Sequence, residues 1–219
     1  MTDQLLLKFP NNKVFFKEDF YVSPSNQDAY DFVNSWPKWI KRIVNIYGPS
    51  GSGKTHLTAF LKSKTSTLLI EGNSINDKVL FNFKTKEALI LENMNNKISE
   101  KLLFSLWNNA LQDNKYLLIT SNKPISSYKF KLADLKSRIR SCIKIGINLP
   151  SDDLIGVIIA KNFSDKQIKV EKKHIDYIIK RIDRSYEKIS QFILILDKYS
   201  LKKGTPISLK SIKEVLKMI

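Results

Sequence analysis

"GPSGSGKT", Gly48 to Thr55, follows the apolar run "IKRIVNIYG" (40–48) and opens "KTHLTAFLKSK" (54–64), whose apolar residues fall at helical spacing. The octapeptide fits G-x-x-x-x-G-K-[ST], a phosphate-binding loop, in the strand-to-helix setting that the motif needs. Glycines let the backbone turn its N–H groups toward phosphate oxygens, and the helix N-terminus adds a positive dipole end. Gly48, Ser50, Gly51, Ser52, Gly53, Lys54, Thr55 and the following His56 are therefore candidate nucleotide contacts. Lys54 is expected to reach the β- and γ-phosphates, and the Thr55 hydroxyl to coordinate Mg²⁺. Of the chain's 7 glycines, three stand in this octapeptide. A chance match from the chain's own composition is about four in a thousand, which sets aside an ordinary glycine-rich turn.

Outward from the loop, strand and helix alternate. "TLLIEG" (67–72), "ALILE" (88–92), "KYLLITSN" (115–122) and "CIKIGI" (142–147) read as further strands, and 26–35 and "SEKLLFSLWNNALQDN" (99–114) as helices. The pattern predicts an α/β fold: a parallel five-stranded sheet flanked by helices. It changes at "NLPSDD" (148–153), where Pro150 and a Ser-Asp-Asp cap start a helix. From there only helical periods follow, at 152–162, 171–182, 185–202 and 208–217. Three parts are expected: a tail at 1–10, an α/β core at 11–149 and a small all-helical lid at 150–219.

The chain has 219 residues, 42% hydrophobic and 26% charged, enough for a sizeable core. No apolar run is long enough to span a bilayer, and no leader pattern is present, so a cytoplasmic location is expected. One cysteine, Cys142, leaves no internal disulfide. His56 and His174 lack cysteine partners at ligand spacing, so no structural zinc is expected. The net charge is +16, but lysine carries nearly all of it. Such diffuse charge reads as solvated faces that bind DNA weakly, without sequence preference and with strong salt dependence. The few arginines, Arg42, Arg138, Arg140, Arg181 and Arg184, are correspondingly more informative.

"EALILENMNN" (87–96) is the second informative stretch. An apolar strand beside a phosphate loop commonly ends in two acids, one holding Mg²⁺ through water and one activating the attacking water. Here it ends in Glu92 and Asn93. Glu92 retains the first role. Asn93 orients a water by hydrogen bonding but takes no proton at neutral pH. Slow or absent hydrolysis is expected. Asn122, at the tip of "LLITSN", stands where a polar side chain senses the γ-phosphate.

Together, "FYVSPSNQDAYDFV" (20–33), "NIYGPSGSGKTHL" (45–57), "LILEN" (89–93), "LLITSNKPI" (117–125), "LADLKSRI" (132–139) and the helical lid resemble the AAA+ module of the bacterial initiator DnaA. More closely, they resemble the Hda family, DnaA-related inactivators of replication initiation. The sequence ends after the lid, where DnaA continues into a helix-turn-helix domain, which fits that expectation. The resemblance implies bound ADP or ATP with Mg²⁺, with Val22 ahead of the loop as a further nucleotide contact. It implies that "QLLLKF" (4–9) docks on the sliding clamp, the beta subunit of DNA polymerase III, through Gln4, Leu5, Leu7 and Phe9. It also implies that Arg138 acts in trans as an arginine finger on ATP bound by DnaA. A homodimer is a further possible assembly, and the clamp would hold the chain at the nucleoid.

The sequence departs from the family in places. Glu187 falls where the lid helix carries a sensor arginine; either Arg184, one turn earlier, substitutes or the contact is lost, and Asp134 stands where the initiator has another arginine. With Glu92-Asn93, these departures fit a chain that holds nucleotide as a structural ligand. The competing expectation is an autonomous AAA+ ATPase acting on DNA or as a helicase-loader-like factor. An adaptor without nucleotide is disfavoured by the intact Gly53-Lys54-Thr55. A small-molecule kinase is disfavoured by the shortage of arginine.

Overall fold

The computed structural model describes residues 20–166, 168, 170–204 and 206–219. The expected clamp contacts Gln4, Leu5, Leu7 and Phe9 lie outside the described residues.

The α/β part runs α1 (Gln27–Asn34), β1 (Ile43–Tyr47), α2 (Lys54–Lys64), β2 (Thr67–Glu71), α3 (Lys78–Phe83), β3 (Ala88–Met94), α4 (Glu100–Gln112) and β4 (Tyr116–Ser121). A 3-10 turn (Ile125–Ser127), α5 (Ala133–Ser141) and β5 (Ile143–Gly146) complete it. The five strands pair in parallel in the order β2-β3-β4-β1-β5.

A parallel sheet covered on both faces needs strands that are apolar on both sides. The three central strands meet that need: Ile43, Val44 and Ile46, Ala88 to Leu91, and Leu117 to Ile119 are all buried. Successive side chains point to opposite faces. Leu89, Leu91, Leu117 and Ile119 pack with Leu103, Leu106 and Trp107 of α4. Ile90, Leu118, Val44 and Ile46 pack with Leu57, Phe60 and Leu61 of α2 and with Ala29 and Val33 of α1. One polar side chain, Asn45, is fully buried in β1 and satisfied on both ends. Its Nδ2 donates to Ile119 O (3.1 Å) and Ser121 Oγ (2.8 Å), and its Oδ1 accepts from Ile125 N (2.8 Å). It thereby ties the tip of β4, which carries Asn122, to the turn beyond.

The helical C-terminal part comprises α6 (Asp152–Asp165), α7 (Lys172–Ile179), α8 (Tyr186–Lys203) and α9 (Leu209–Leu216). Ser151 caps α6 by accepting from Leu154 N, and Gly204 ends α8 in the left-handed conformation (φ 60°) that glycine adopts without strain. Ile155, Ile159, Phe163, Ile178, Ile189 and Phe192 form its apolar centre.

Differences from the sequence expectation are local. The run at 40–48 starts as a strand only at Ile43, and Ile40 stands in solvent at 91% exposure. α3 is too short to show a period. In α5, only Leu135 and Ile139 face inward within a basic stretch.

Candidate nucleotide site

The loop Gly48–Gly53 lies between β1 and α2, at the C-terminal end of the sheet. Gly51 (φ 79°) and Gly53 (φ 90°) occupy the left-handed region, which costs other residues energy. A Cβ at Gly53 would stand 2.9 Å from the Phe20 ring. Ser52 Oγ is buried and has no hydrogen-bond partner among the described residues. An unmet buried hydroxyl costs roughly 1–3 kcal/mol, and a phosphate oxygen in the loop would relieve it. The cradle thus fits a phosphate chain.

Lys54 begins α2 and is buried. Its Nζ donates to Gly48 O (2.7 Å), Pro49 O (2.8 Å) and, more distantly, Asn122 Oδ1 (3.4 Å). Burial holds its pKa below the usual lysine value, and the nearby Glu92 charge partly offsets this. Glu92 is buried at the end of β3. Its Oε1 accepts from Thr58 Oγ1, and its Oε2 accepts from Thr55 Oγ1 (3.4 Å). These contacts bring Lys54 to Asn122 and Thr55 to Glu92, at one end of the sheet. Thr58 was not foreseen. It sits three residues after Thr55, on the same helix face.

Asn93 follows a different geometry from a regular strand. The pairing of β3 with β4 shifts register between Leu91 and Met94, and Asn93 adopts φ 53°. Asparagine tolerates that conformation better than most residues. The Asn93 N–H donates to Thr120 Oγ1 (3.0 Å), and its side-chain Nδ2 donates to Glu71 Oε1 (3.0 Å) and Oε2 (3.1 Å).

A cleft of about 710 Å³ opens over the loop, within the range of small-molecule sites. Ser50 through His56, Asn93 and Asn122 line it. Phe20, Tyr21 and Asn26 line it from the segment before α1, where Val22 is half-buried but off the wall. Phe20 stacks on Tyr30 (5.7 Å) and meets His56 edge-on (5.3 Å), an aromatic wall not foreseen from the sequence. The helical part contributes Leu154, Val157, Ile158, Lys161, Asn162 and Asp165 from α6, and Tyr186 and Ser190 from α8.

Arg184 and Glu187 are not on this wall. Arg184 is paired with Asp152 at 3.0 Å, at the N-terminus of α6, so the structure does not place it as a nucleotide contact. Arg138 is also off the wall. It lies half-buried on α5 with its guanidinium 5.7 Å from the Phe104 ring centre. Among the described residues no helix is long and apolar enough to cross a membrane.

The sheet order, the loop and the helical lid define a P-loop fold of the AAA+ type. The fold is that of DnaA-like AAA+ domains. The crystal structure of domain III of the Thermotoga maritima initiator DnaA superposes with a TM-score of 0.76 at 17% identity, covering 95% of this chain and 98% of that one. A DnaA bound to AMPPCP and single-stranded DNA superposes at 0.68 with 18% identity, covering 87% and 68%. In sequence, the chain is similar to DnaA of Campylobacter jejuni, 27% identical over 236 residues that span 94% of this chain and 53% of that protein. It is also similar to DnaA of Borreliella afzelii, 24% identical, spanning 92% of this chain and 47% of that protein. The chain spans about half the length of the curated relatives it matches. No family model matches it.

Proposed function

We propose that this chain is a nucleotide-holding, DnaA-related regulator that acts on the initiator's ATP rather than on its own. The observation that carries the proposal is a division of labour in the geometry. Lys54 at the loop, and Thr55 hydrogen-bonded to Glu92, support a phosphate cradle. The wall position that would need a base is the amide Asn93, and Arg138 stands away from the chain's own cleft.

In this proposal Lys54 exchanges the Gly48 and Pro49 carbonyls for β- and γ-phosphate oxygens, and the loop N–H groups and Ser52 Oγ bind the rest. Thr55 and Glu92 are the residues that would hold Mg²⁺, which would neutralise phosphate charge. Asn122 Oδ1 orients Lys54. Asn93 holds a water without accepting its proton. The base rests against Phe20, Tyr21 and the apolar face of α6. ADP, held as a structural ligand, is the expected resident nucleotide.

Arg138 serves a neighbour: a guanidinium supplied in trans stabilises charge on the transferred phosphoryl group and is worth several orders of magnitude in rate. The DnaA-type fold supports DnaA as that neighbour. The sliding clamp, engaged through Gln4, Leu5, Leu7 and Phe9, is the proposed tether that makes this action follow replication, as the resemblance to the Hda family implies.

The competing reading, an autonomous ATPase, is favoured by Glu92 alone, which keeps its threonine partners. The two separate on one experiment. Purified chain is denatured and the released nucleotide identified, and ATP-loaded chain is followed in a single turnover. Near-stoichiometric nucleotide with negligible turnover is the expected result. Brisk turnover would give the place to the autonomous enzyme.

A further inference from the structure

We infer that the depression at the end of the sheet opposite the phosphate loop is a docking pocket for an acidic segment of a partner protein. One apolar side chain of that segment seats against Trp107 and Leu111, and its carboxylates face Lys41 and Arg42. The inference does not depend on the nucleotide reading of the cleft.

The pocket lies at the start of β1, whose other end leads into the loop. The last turns of α4 and the end of α5 close it. Ile43, Trp107, Leu111 and Cys142 give it apolar walls, and Lys41 and Arg42 bring charge to it. Ile43, Trp107 and Cys142 are buried, whereas Leu111 is 42% exposed. The cavity measures about 210 Å³. That is below the roughly 300–1,000 Å³ of sites that enclose whole small molecules. It suits one side chain, held as interface anchors are held in well-packed apolar pockets.

The surroundings are more positive than the fold requires. Lys41 Nζ donates to Ser141 O, and Lys144 Nζ donates to Ile139 O (3.1 Å) and Cys142 O (3.0 Å). Arg42 Nη1 donates to Asn114 O (2.6 Å). These bonds cover carbonyls at and just beyond the C-terminal ends of α5 and α4. Each helix end carries about half a negative charge, so the three cations leave an excess of about two. None of the three is in a salt bridge among the described residues. Asp113 is the only acid between 107 and 115, and it stands 3.8 Å from Lys115. Stretches 38–43 and 139–144 contain no acid. Burial pushes the Cys142 thiol pKa up, and the Lys144 and Lys41 charges partly offset this, so their field reaches the cavity wall.

Apolar walls beside unpaired cations are complementary to an apolar side chain flanked by carboxylates. A second copy of this chain is a poor occupant, because a net charge of +16 repels itself. A nucleic acid strand is the other polyanion. It binds by stacking bases on open aromatic faces, and Trp107, at 2% exposure, has none to offer.

The test titrates the full chain with short labelled peptides, read by fluorescence anisotropy. Each peptide has a central Phe or Leu flanked by Asp or Glu. Control peptides carry a central Ala, or Asn and Gln flanks. The acid-flanked Phe and Leu peptides should bind about tenfold tighter than either control, and more weakly as salt rises. Two variants locate the site. Leu111→Asp sets a carboxylate at the pocket, and K41Q/R42Q keeps donors for the carbonyls while removing both charges. Each should weaken binding about tenfold with the thermal melt retained. Should Leu111→Asp fail to fold, the K41Q/R42Q protein decides alone. Acid-flanked peptides that bind no tighter than their controls would overturn the inference, and so would binding that survives K41Q/R42Q. A single-stranded oligonucleotide that outcompetes every peptide and loses affinity in the same variants would give the pocket to nucleic acid instead.

Discussion

A side-chain carbon added at Gly51 would lie 3.1 Å from Tyr186 Cβ, so the phosphate loop and the first turn of α8 touch directly. Tyr186 is buried, and its hydroxyl donates to Asn148 O (3.2 Å), in the connection between β5 and the lid. Any adjustment of the loop around a phosphate is therefore felt by the lid through Tyr186, at the helix position next to Glu187.

Tyr186→Ala should cost about 3 kcal/mol of stability, as for other buried aromatic truncations, and should weaken nucleotide binding as well. Tyr186→Phe keeps the ring against Gly51 and gives up the hydroxyl's bonds to Asn148 O and Ser25, each worth about 1 kcal/mol. Denaturant unfolding of each variant with and without nucleotide checks both. Equal nucleotide affinity in all three proteins would show that the contact is only structural.

Lys54→Ala should remove the stabilisation that nucleotide confers. A ligand present at about a hundred times its dissociation constant stabilises by about 2.7 kcal/mol, and thermal melts should show that increment in the parent and not in the variant. An undiminished increment would exclude Lys54 as a phosphate contact.

Lys54 also gives the nucleotide affinity a pH dependence with a defined sign. Burial lowers its pKa from 10.5 in the chain without ligand, and phosphate favours the ammonium form and raises it again. Between the two pKa values binding therefore takes up a proton. Affinity is full below the depressed pKa and falls as pH rises through it toward the higher value of the complex, a loss starting at lower pH than an ordinary lysine would give. Isothermal titration in buffers of different ionisation enthalpy would detect the proton uptake.

Glu92→Gln should lower the Mg²⁺-dependent part of nucleotide affinity. It should also destabilise the chain by roughly 1–3 kcal/mol, because a carboxamide nitrogen cannot accept from the Thr55 or Thr58 hydroxyl. Nucleotide titrations with and without Mg²⁺ separate the two effects. An unchanged Mg²⁺ effect would leave Glu92 a purely structural acid.

Much of the site is legible in the sequence because its residues are tied to strand ends. Lys54 and Thr55 sit at fixed offsets from glycines that the loop backbone requires. Glu92 and Asn122 end short apolar runs that alternate with helical segments, the pattern of buried parallel strands. What Asn93 touches is not legible, since it depends on a register shift between Leu91 and Met94 that leaves no mark on an apolar stretch. Its partner Glu71 is set by strand pairing, which the order of elements along the chain does not state. Tyr186 is hidden for the same reason at larger scale: its neighbour Gly51 is fixed by how the lid seats on the core. The pairing of Arg184 with Asp152 is likewise hidden, since it joins the segment just before α8 to the start of α6, 32 residues apart in sequence.

The most direct measurement is a reconstitution. DnaA loaded with labelled ATP is mixed with clamp on DNA, and ADP formation is followed without this chain, with it, and with its Arg138→Ala variant. Clamp-dependent acceleration of several orders of magnitude that disappears in the variant is the predicted result. Acceleration that survives the loss of Arg138, or none at all from a chain that still binds nucleotide and clamp, would contradict it.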